Sequence, residues 1–356
     1  ATLDLGLSRA HRLTGEATMC AKFLVLASAL MLAIAAGPAK ADPVHIRLSY
    51  IVPVANWATI LFQKPELAPN LDKTYTFEAV HFANTSLTVQ GLAAGEIEIA
   101  NIGYTTLPLL IENAGVADAR VIADELQDGV PGYYSDQFLV VKDSPIKRFV
   151  DLRGKVLADG GIGSGLDIPI RAMGLKYGMK DKRDFTIVEA PIPALSSELL
   201  QRKVDLIAIP LPFTASPQIR AGARTLFTQA DAMGVTELGF WVARTPFLEK
   251  NHAALIDFMT DALREEHWYE DPAHHDEAVQ IAVRVSKLPA GIWDSWLFRK
   301  DGQNGDYYRP PDGKPNIASL QASIDEQQKL GFFKTTFDVR KYVDLSLVDA
   351  AAKRLH

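Results

Sequence analysis

The run Ala158-Asp159-Gly160-Gly161-Ile162-Gly163-Ser164-Gly165-Leu166-Asp167 follows a β-branched stretch and opens a helical one. Glycines at such a turn let the backbone bend sharply and present its N–H groups, and the helix N-terminus adds about half a positive charge. That combination suits a sulfonate or a carboxylate. The same residues would also serve a plain tight turn with Ser164 capping the helix, so both readings stand on the motif alone. Nucleotide and hydrolase readings fail: the spacing is G-x-G-x-G, no Lys-Ser or Lys-Thr follows, and Ser164 lies outside a G-x-S-x-G frame.

Further donors fall where predicted strands end: Pro53 to Trp57, with Asn56 and Trp57; Asn84-Thr85-Ser86; and Gly103-Tyr104-Thr105. In open α/β sheets that edge is where ligands sit, and hydroxyl, amide and backbone donors match an anion's acceptors. Asn84 and Ser86 would equally serve as helix caps. Trp57 and Tyr104 stand in loops beside these donors and offer an apolar wall. Arg171, on the helix after the glycine-rich turn, is the one candidate countercharge. His267, His274 and His275 stand near Glu265, Glu266, Asp271 and Asp276, but Asp271-Pro272 breaks the helix between them, and adjacent histidines point to different faces. They read as polar surface. No metal, cofactor or catalytic residue is expected.

The elements that must carry these loops alternate short β-branched or aromatic runs with helical segments, the pattern of an α/β fold with a largely parallel sheet. Residues 46–50, 76–82 and 97–102 read as strands, with helical stretches at 57–62 and 86–94. A second series runs through 155–158, 185–188 and 204–209, and an offset of 107 residues lays Ile97-Glu98-Ile99-Ala100 on Val204-Asp205-Leu206-Ile207. Two similar lobes follow. Residues 42–137 and 240–356 are expected to form the first lobe, and 138–239 the second. Gln137 to Val141 and Leu238 to Ala243 are expected to carry the chain across, a double connection that favours hinge closure. Beyond Pro246 two amphipathic faces, Leu255/Phe258/Met259/Ala262/Leu263 and Ala278/Ile281/Ala282/Val285, predict helices packed on the first lobe. Residues 300–315, rich in Gly, Asp and Pro, read as a loop without an evident purpose.

Met19-Cys20-Ala21-Lys22, the apolar run Phe23 to Ala36 and Ala39-Lys40-Ala41 have the form of a signal peptide cleaved before Asp42, preceded by an upstream extension at 1–18. The apolar run falls short of the roughly 20 residues of a membrane-spanning helix. Cys20, the sole cysteine, precedes it, so the secreted part would hold no disulfide, thiolate metal site or cysteine nucleophile. Arg9, Arg12, Lys22 and Lys40 against Asp4 and Glu16 lie before residue 42, so cleavage takes the formal net charge from −6 to −8. Nucleic acid is a poor partner for such a chain. An anion would have to be held by local groups, not by a general positive field.

Two blocks resemble the ABC-type nitrate, sulfonate and taurine solute-binding family along almost all of the secreted part. One is Gln90-Gly91-Leu92-Ala93-Ala94-Gly95-Glu96-Ile97-Glu98-Ile99-Ala100, leading to Gly103-Tyr104. The other is Val141-Lys142-Asp143-Ser144-Pro145-Ile146 with Asp151-Leu152-Arg153-Gly154-Lys155-Val156 and the glycine-rich turn. The resemblance implies the type II periplasmic-binding fold with ligand between the lobes. It places ligand loops at Asn56-Trp57, Asn84-Thr85-Ser86, Gly103-Tyr104-Thr105, Ser164-Gly165 and Pro210 to Phe213. Pro210-Leu211-Pro212 stands where the family often has Glu-Pro, and Arg202-Lys203 replaces the usual Gly.

The function so implied is a periplasmic, monomeric solute-binding component that closes on a small organic anion, sulfonates such as taurine ahead of carboxylates, and hands it to an ABC importer's membrane permease. An enzyme on the same scaffold, of pyrimidine-precursor or menaquinone-pathway type, is the alternative, and a sensor domain delivering the ligand to a membrane receptor is a third reading. N-terminal sequencing of the protein recovered from the periplasm should begin at Asp42; a start at or before residue 19 would rule out cleavage.

Overall fold

In the computed structural model residues 42–299 and 306–355 are described; the expected signal segment and residues 300–305 lie outside them. The first strand, β1 (Val44–Tyr50), shows why a sheet forms here. Ile46 and Leu48, both fully buried, alternate with exposed His45 and half-buried Arg47, so the strand turns apolar side chains inward and polar ones outward. β1 lies between two parallel partners, β2 (Tyr75–His81) and β3 (Ile99–Gly103). Then come β4 (Ala119–Asp128), β5 (Gln137–Val141), β6 (Val156–Asp159), β7 (Thr186–Glu189), β8 (Leu206–Ile209), β9 (Ala223–Thr228) and β10 (Thr236–Arg244).

These strands make two five-stranded sheets of the same plan. The first has the order β2-β1-β3-β10-β4 and the second β7-β6-β8-β5-β9. In each, three parallel strands are followed by an antiparallel fourth that arrives directly from the other sheet: β10 pairs with β3 and β4, and β5 with β8 and β9. The chain therefore crosses twice, through 129–136 and through 229–235. Here the crossings meet: a side chain carbon added at Gly129 (φ +77°) would stand 2.7 Å from the Gly234 carbonyl, so only glycine fits.

Two expectations need correction. Residues 57–62 hold only a 3₁₀ turn, Trp57–Thr59, because Asn56 turns its side chain back on the preceding loop instead of capping a helix. The strands at 119–128 and 223–228, unmarked by the sequence patterns, form the edges beside the crossing strands.

The long helix Thr245–Glu270, stopped by Asp271-Pro272, lays Leu255, Phe258, Met259, Ala262 and Leu263 into the core that also holds Ile46, Leu48, Ile99 and Trp241. The helix Ser346–Leu355 packs against it, and the helix Ile317–Lys329 covers the other face of the first sheet with Leu320 and Ile324. Phe258 is the centre of an aromatic cluster, its ring 5.5–6.0 Å from those of Tyr75, Phe62, Trp241 and Phe77. Phe258→Ala should therefore destabilise the protein by about 3–5 kcal/mol, read as a drop in the urea midpoint; a loss below ~1 kcal/mol would show that the cluster refills the space.

Candidate functional site

The first site loop is built on a carboxylate. Glu125, on β4, is fully buried and accepts hydrogen bonds from Trp57 N (2.7 Å), Asn56 Nδ2 (3.3 Å) and Trp241 Nε1. Asn56 Oδ1 in turn accepts from Ile51 N and Val52 N, both at 2.9 Å. Burial pushes the Glu125 carboxyl up, and these donors oppose that shift. Trp57 so fixed is packed away from solvent, stacked on Phe298 at 5.8 Å and tilted against Tyr269.

Loops of the two sheets face each other further along. Tyr104 is fully buried, its hydroxyl 3.8 Å from Met233 Sδ and its carbonyl accepting from Gln327 Nε2 at 3.3 Å. A side-chain carbon placed on Gly165 would lie 3.6 Å from Leu238 and 4.0 Å from Tyr104. Thus the glycine-rich turn of the second sheet meets the Gly103-Tyr104-Thr105 loop of the first. The 210–213 loop is held by other residues: Leu211 N donates to Ser135 O at 3.1 Å, the Leu211 carbonyl accepts from Tyr307 Oη at 2.8 Å, and half-buried Phe213 opens a 3₁₀ turn beside Pro210. Asn84 behaves as a cap, with Oδ1 accepting from Leu87 N at 3.0 Å; Thr85 and Ser86 are the first residues of that helix.

The glycine-rich turn departs from expectation. Gly161 N donates to Asp159 Oδ1 (2.7 Å), Ile162 N to Glu189 Oε1 (2.8 Å) and Gly163 N to Asp167 Oδ2 (2.7 Å), while Ser164 Oγ accepts from Asp167 N. These amides thus already serve the chain's own carboxylates. Nor is Arg171 a free countercharge. Its Nε bonds both oxygens of Asp167 at 2.8 and 2.7 Å, and Nη1 lies 3.4 Å from Asp181. A buried acid at Asp167 requires such partners, and the helical i, i+4 spacing supplies one.

A second buried arginine, Arg309, is held mainly by aromatic rings, with Asp306 as its ion-pair partner. Its side chain is only 3 % exposed, and among the described residues none of its three guanidinium nitrogens has a hydrogen-bond acceptor. The guanidinium carbon lies 4.5 Å from the Trp57 ring centre, 5.0 Å from Tyr307 and 5.5 Å from Phe298. Asp306 Oδ1 is 3.9 Å from Nη1, and burial pushes that carboxyl up to about 7. A cavity of about 150 Å³ opens against Arg309, walled by Phe298, Asp306, Tyr307 and Tyr308. The segment is held to the edge of β4, where Gln127 N donates to Tyr308 O (2.8 Å) and Asp124 N to Gly313 O (2.8 Å). Sequence reading missed Arg309 because its Gly-, Asp- and Pro-rich surroundings look solvated; the doublet Tyr307-Tyr308 before it was the available signal.

Carboxyl pairs mark both crossings. Asp128 accepts from Gly129 N, Ser135 N and Asp136 N, and burial still holds it up at about 6 beside Asp136. Asp124 and Glu237 hydrogen-bond each other across β4 and β10; burial pushes Asp124 up to about 8 and Glu237 well above its usual range.

A family model for a periplasmic substrate-binding protein of a phosphonate ABC transporter matches residues 66–197, and an NMT1/THI5-like model matches 134–265. A curated aliphatic sulfonates-binding protein of Escherichia coli (strain K12) is 25 % identical over 334 residues, 90 % of this chain and 93 % of that protein. The crystal structure of the periplasmic aliphatic sulphonate binding protein SsuA from E. coli superposes with a TM-score of 0.66 at 19 % identity, covering 86 % of this chain and 100 % of that one. The periplasmic nitrate-binding protein NrtA from Synechocystis PCC 6803 gives 0.66 at 15 % identity, covering 88 % and 89 %. The fold is thus that of the periplasmic binding proteins.

The Asp124–Glu237 pair sets a pH dependence. Both carboxyls keep their protons in the folded state at pH values where the unfolded chain has lost them, so stability falls as pH rises from about 4 toward about 8. Asp124→Asn, which keeps a donor to Glu237, should flatten that slope in urea unfolding at pH 5 and pH 8; an unchanged slope would clear the pair of any part in it.

Proposed function

We propose that this chain, a member of the ABC-type nitrate, sulfonate and taurine solute-binding family, captures a small organic anion in the periplasm and delivers it to the membrane permease of an ABC importer. The observation that carries this reading is the meeting of loops from both sheets at Gly165, Tyr104 and Leu238. Contacts of that kind exist only when the sheets approach, so a ligand touching both sides favours the closed state by its differential affinity. The two touching crossings at Gly129 and Gly234 suit a hinge. The E. coli relative's name says that it binds aliphatic sulfonates, and a sulfonate is the ligand class we favour here. We assign no catalytic step to the protein. The site we propose comprises the loops of Asn56 and Trp57, Gly103 to Thr105, Ser164 and Gly165, and Pro210 to Phe213, with Asn84, Thr85 and Ser86 at its outer edge. Arg171 acts within it as the partner of Asp167.

Thermal unfolding of residues 42–356, refolded to strip bound solute, should shift upward selectively for sulfonates over nitrate, carboxylates and pyrimidines. A ligand at ~1,000 times its Kd adds about 4 kcal/mol and several degrees, and the compound should be recovered unchanged. No shift with any class, or an altered compound, would overturn the reading.

A further inference from the structure

The helix Asp167–Lys176 carries two apolar faces where one would suffice to pack it. Ile170 and Met173, in line with Leu166 at the helix start, lie in the core of the second sheet with Phe138, Leu157 and Leu206. Ile168 points the other way. It is fully buried in the cluster of Tyr104, Leu107, Leu320 and Ile324, all residues of the first lobe, and among the described residues of 138–239 it is the one buried member of that cluster.

Arg171 and Ala172, three and four residues on, continue this second face. The Arg171 guanidinium, oriented by Asp167 and Asp181, lies 5.9 Å from the ring centre of Phe332, just past the helix Ile317–Lys329. The same ring closes on the glycine-rich turn: a side-chain carbon added at Gly163 would stand 3.2 Å from it. Farther along, Leu175 is 49 % exposed, and the space between the two helices widens into grooves of about 520 and 420 Å³ that Leu175 and Lys329 line from opposite lobes. The seam is thus shut at Ile168 and Phe332 and open at Leu175.

None of these contacts involves a solute. Parting the lobes would bring Ile168 into water, and burial of such a side chain is worth a factor of roughly 10 to 100 in an equilibrium. We propose that Ile168, with Phe332 against Arg171, forms an apolar latch that holds the lobes together while the cleft is empty, so that solute enters during brief openings and not into a standing open clamp. This inference rests on the two-lobed hinge of the reading above and on no particular solute.

The test uses residues 42–356 refolded without solute. That segment has no cysteine, so spin labels on Ala83→Cys and Pro191→Cys, both exposed, report the gap across the cleft: Ala83 follows β2 and Pro191 follows β7, the sheet edges farthest from the crossing strands. Double electron–electron resonance of the otherwise wild-type protein should give one main distance, that of the closed arrangement. Ile168→Ala and, separately, Phe332→Ala should each add a longer one, with the open-to-closed ratio of Ile168→Ala raised roughly 10- to 100-fold. Phe332 is half-buried and outside both sheets, so its variant decides the matter if Ile168→Ala fails to fold. The same distribution in all three proteins, or a longer distance already dominant in the wild type, would overturn the latch. The hinge itself falls only if that shared distribution is a single distance that no anion of the thermal panel moves.

Discussion

The carboxylate of Glu125 ties the first-sheet loop, its edge strand and the crossing strand into one piece. It sits on β4, takes the backbone of Trp57 and the side chain of Asn56, and receives the indole N–H of Trp241 from β10. Withdraw it, and the 51–57 loop loses the anchor that puts Trp57 beneath Arg309. The pattern recurs: Asp261 accepts from Asn70 N and Tyr75 Oη, Glu265 from Phe62 N and Glu237 from Asn316 N. Buried acids are costly unless bonded, and here they are bonded to loop amides that would otherwise lack partners inside the fold.

That use of carboxylates shapes the electrostatics of the site. An acidic protein that binds an anion must exclude its own charges from the place where the anion goes. Here many of the acids are either held protonated by burial, as with Asp124 and Glu237, or matched by amides and arginines, as with Asp167. The glycine-rich turn is neutralised from within by the same device. Arg309 is caged by the Trp57, Tyr307 and Phe298 rings, with the Asp306 carboxyl 3.9 Å from its Nη1.

Most of the fold was legible because its parallel strands are short apolar runs: Ile46-Arg47-Leu48, Ile99 to Ile102 and Leu206 to Ile209 became β1, β3 and β8. β4 was not legible. Its second half, Asp124-Glu125-Leu126-Gln127-Asp128, has the composition of a surface turn, yet every residue is buried, since their partners come from residues as distant as Trp57, Ser135, Trp241 and Gly313. Long-range pairing of that kind leaves no local trace. Of the site, the loops around Tyr104 and Gly165 carry a visible signal, glycines at the ends of predicted strands, whereas the partners of Arg171 and of the turn amides depend on which carboxylates lie nearby.

The exchange of fourth strands between sheets also constrains the order of synthesis. β4 gains its neighbour β10 only when the chain has been made as far as Arg244, and β3 likewise borders nothing on that side until then. Synthesis as far as Asp128 has therefore made a parallel trio and the strand β4, whose sheet partner does not yet exist. Half-made chains stay open for more than a hundred further residues, the state in which a polypeptide can still be threaded through a narrow export channel.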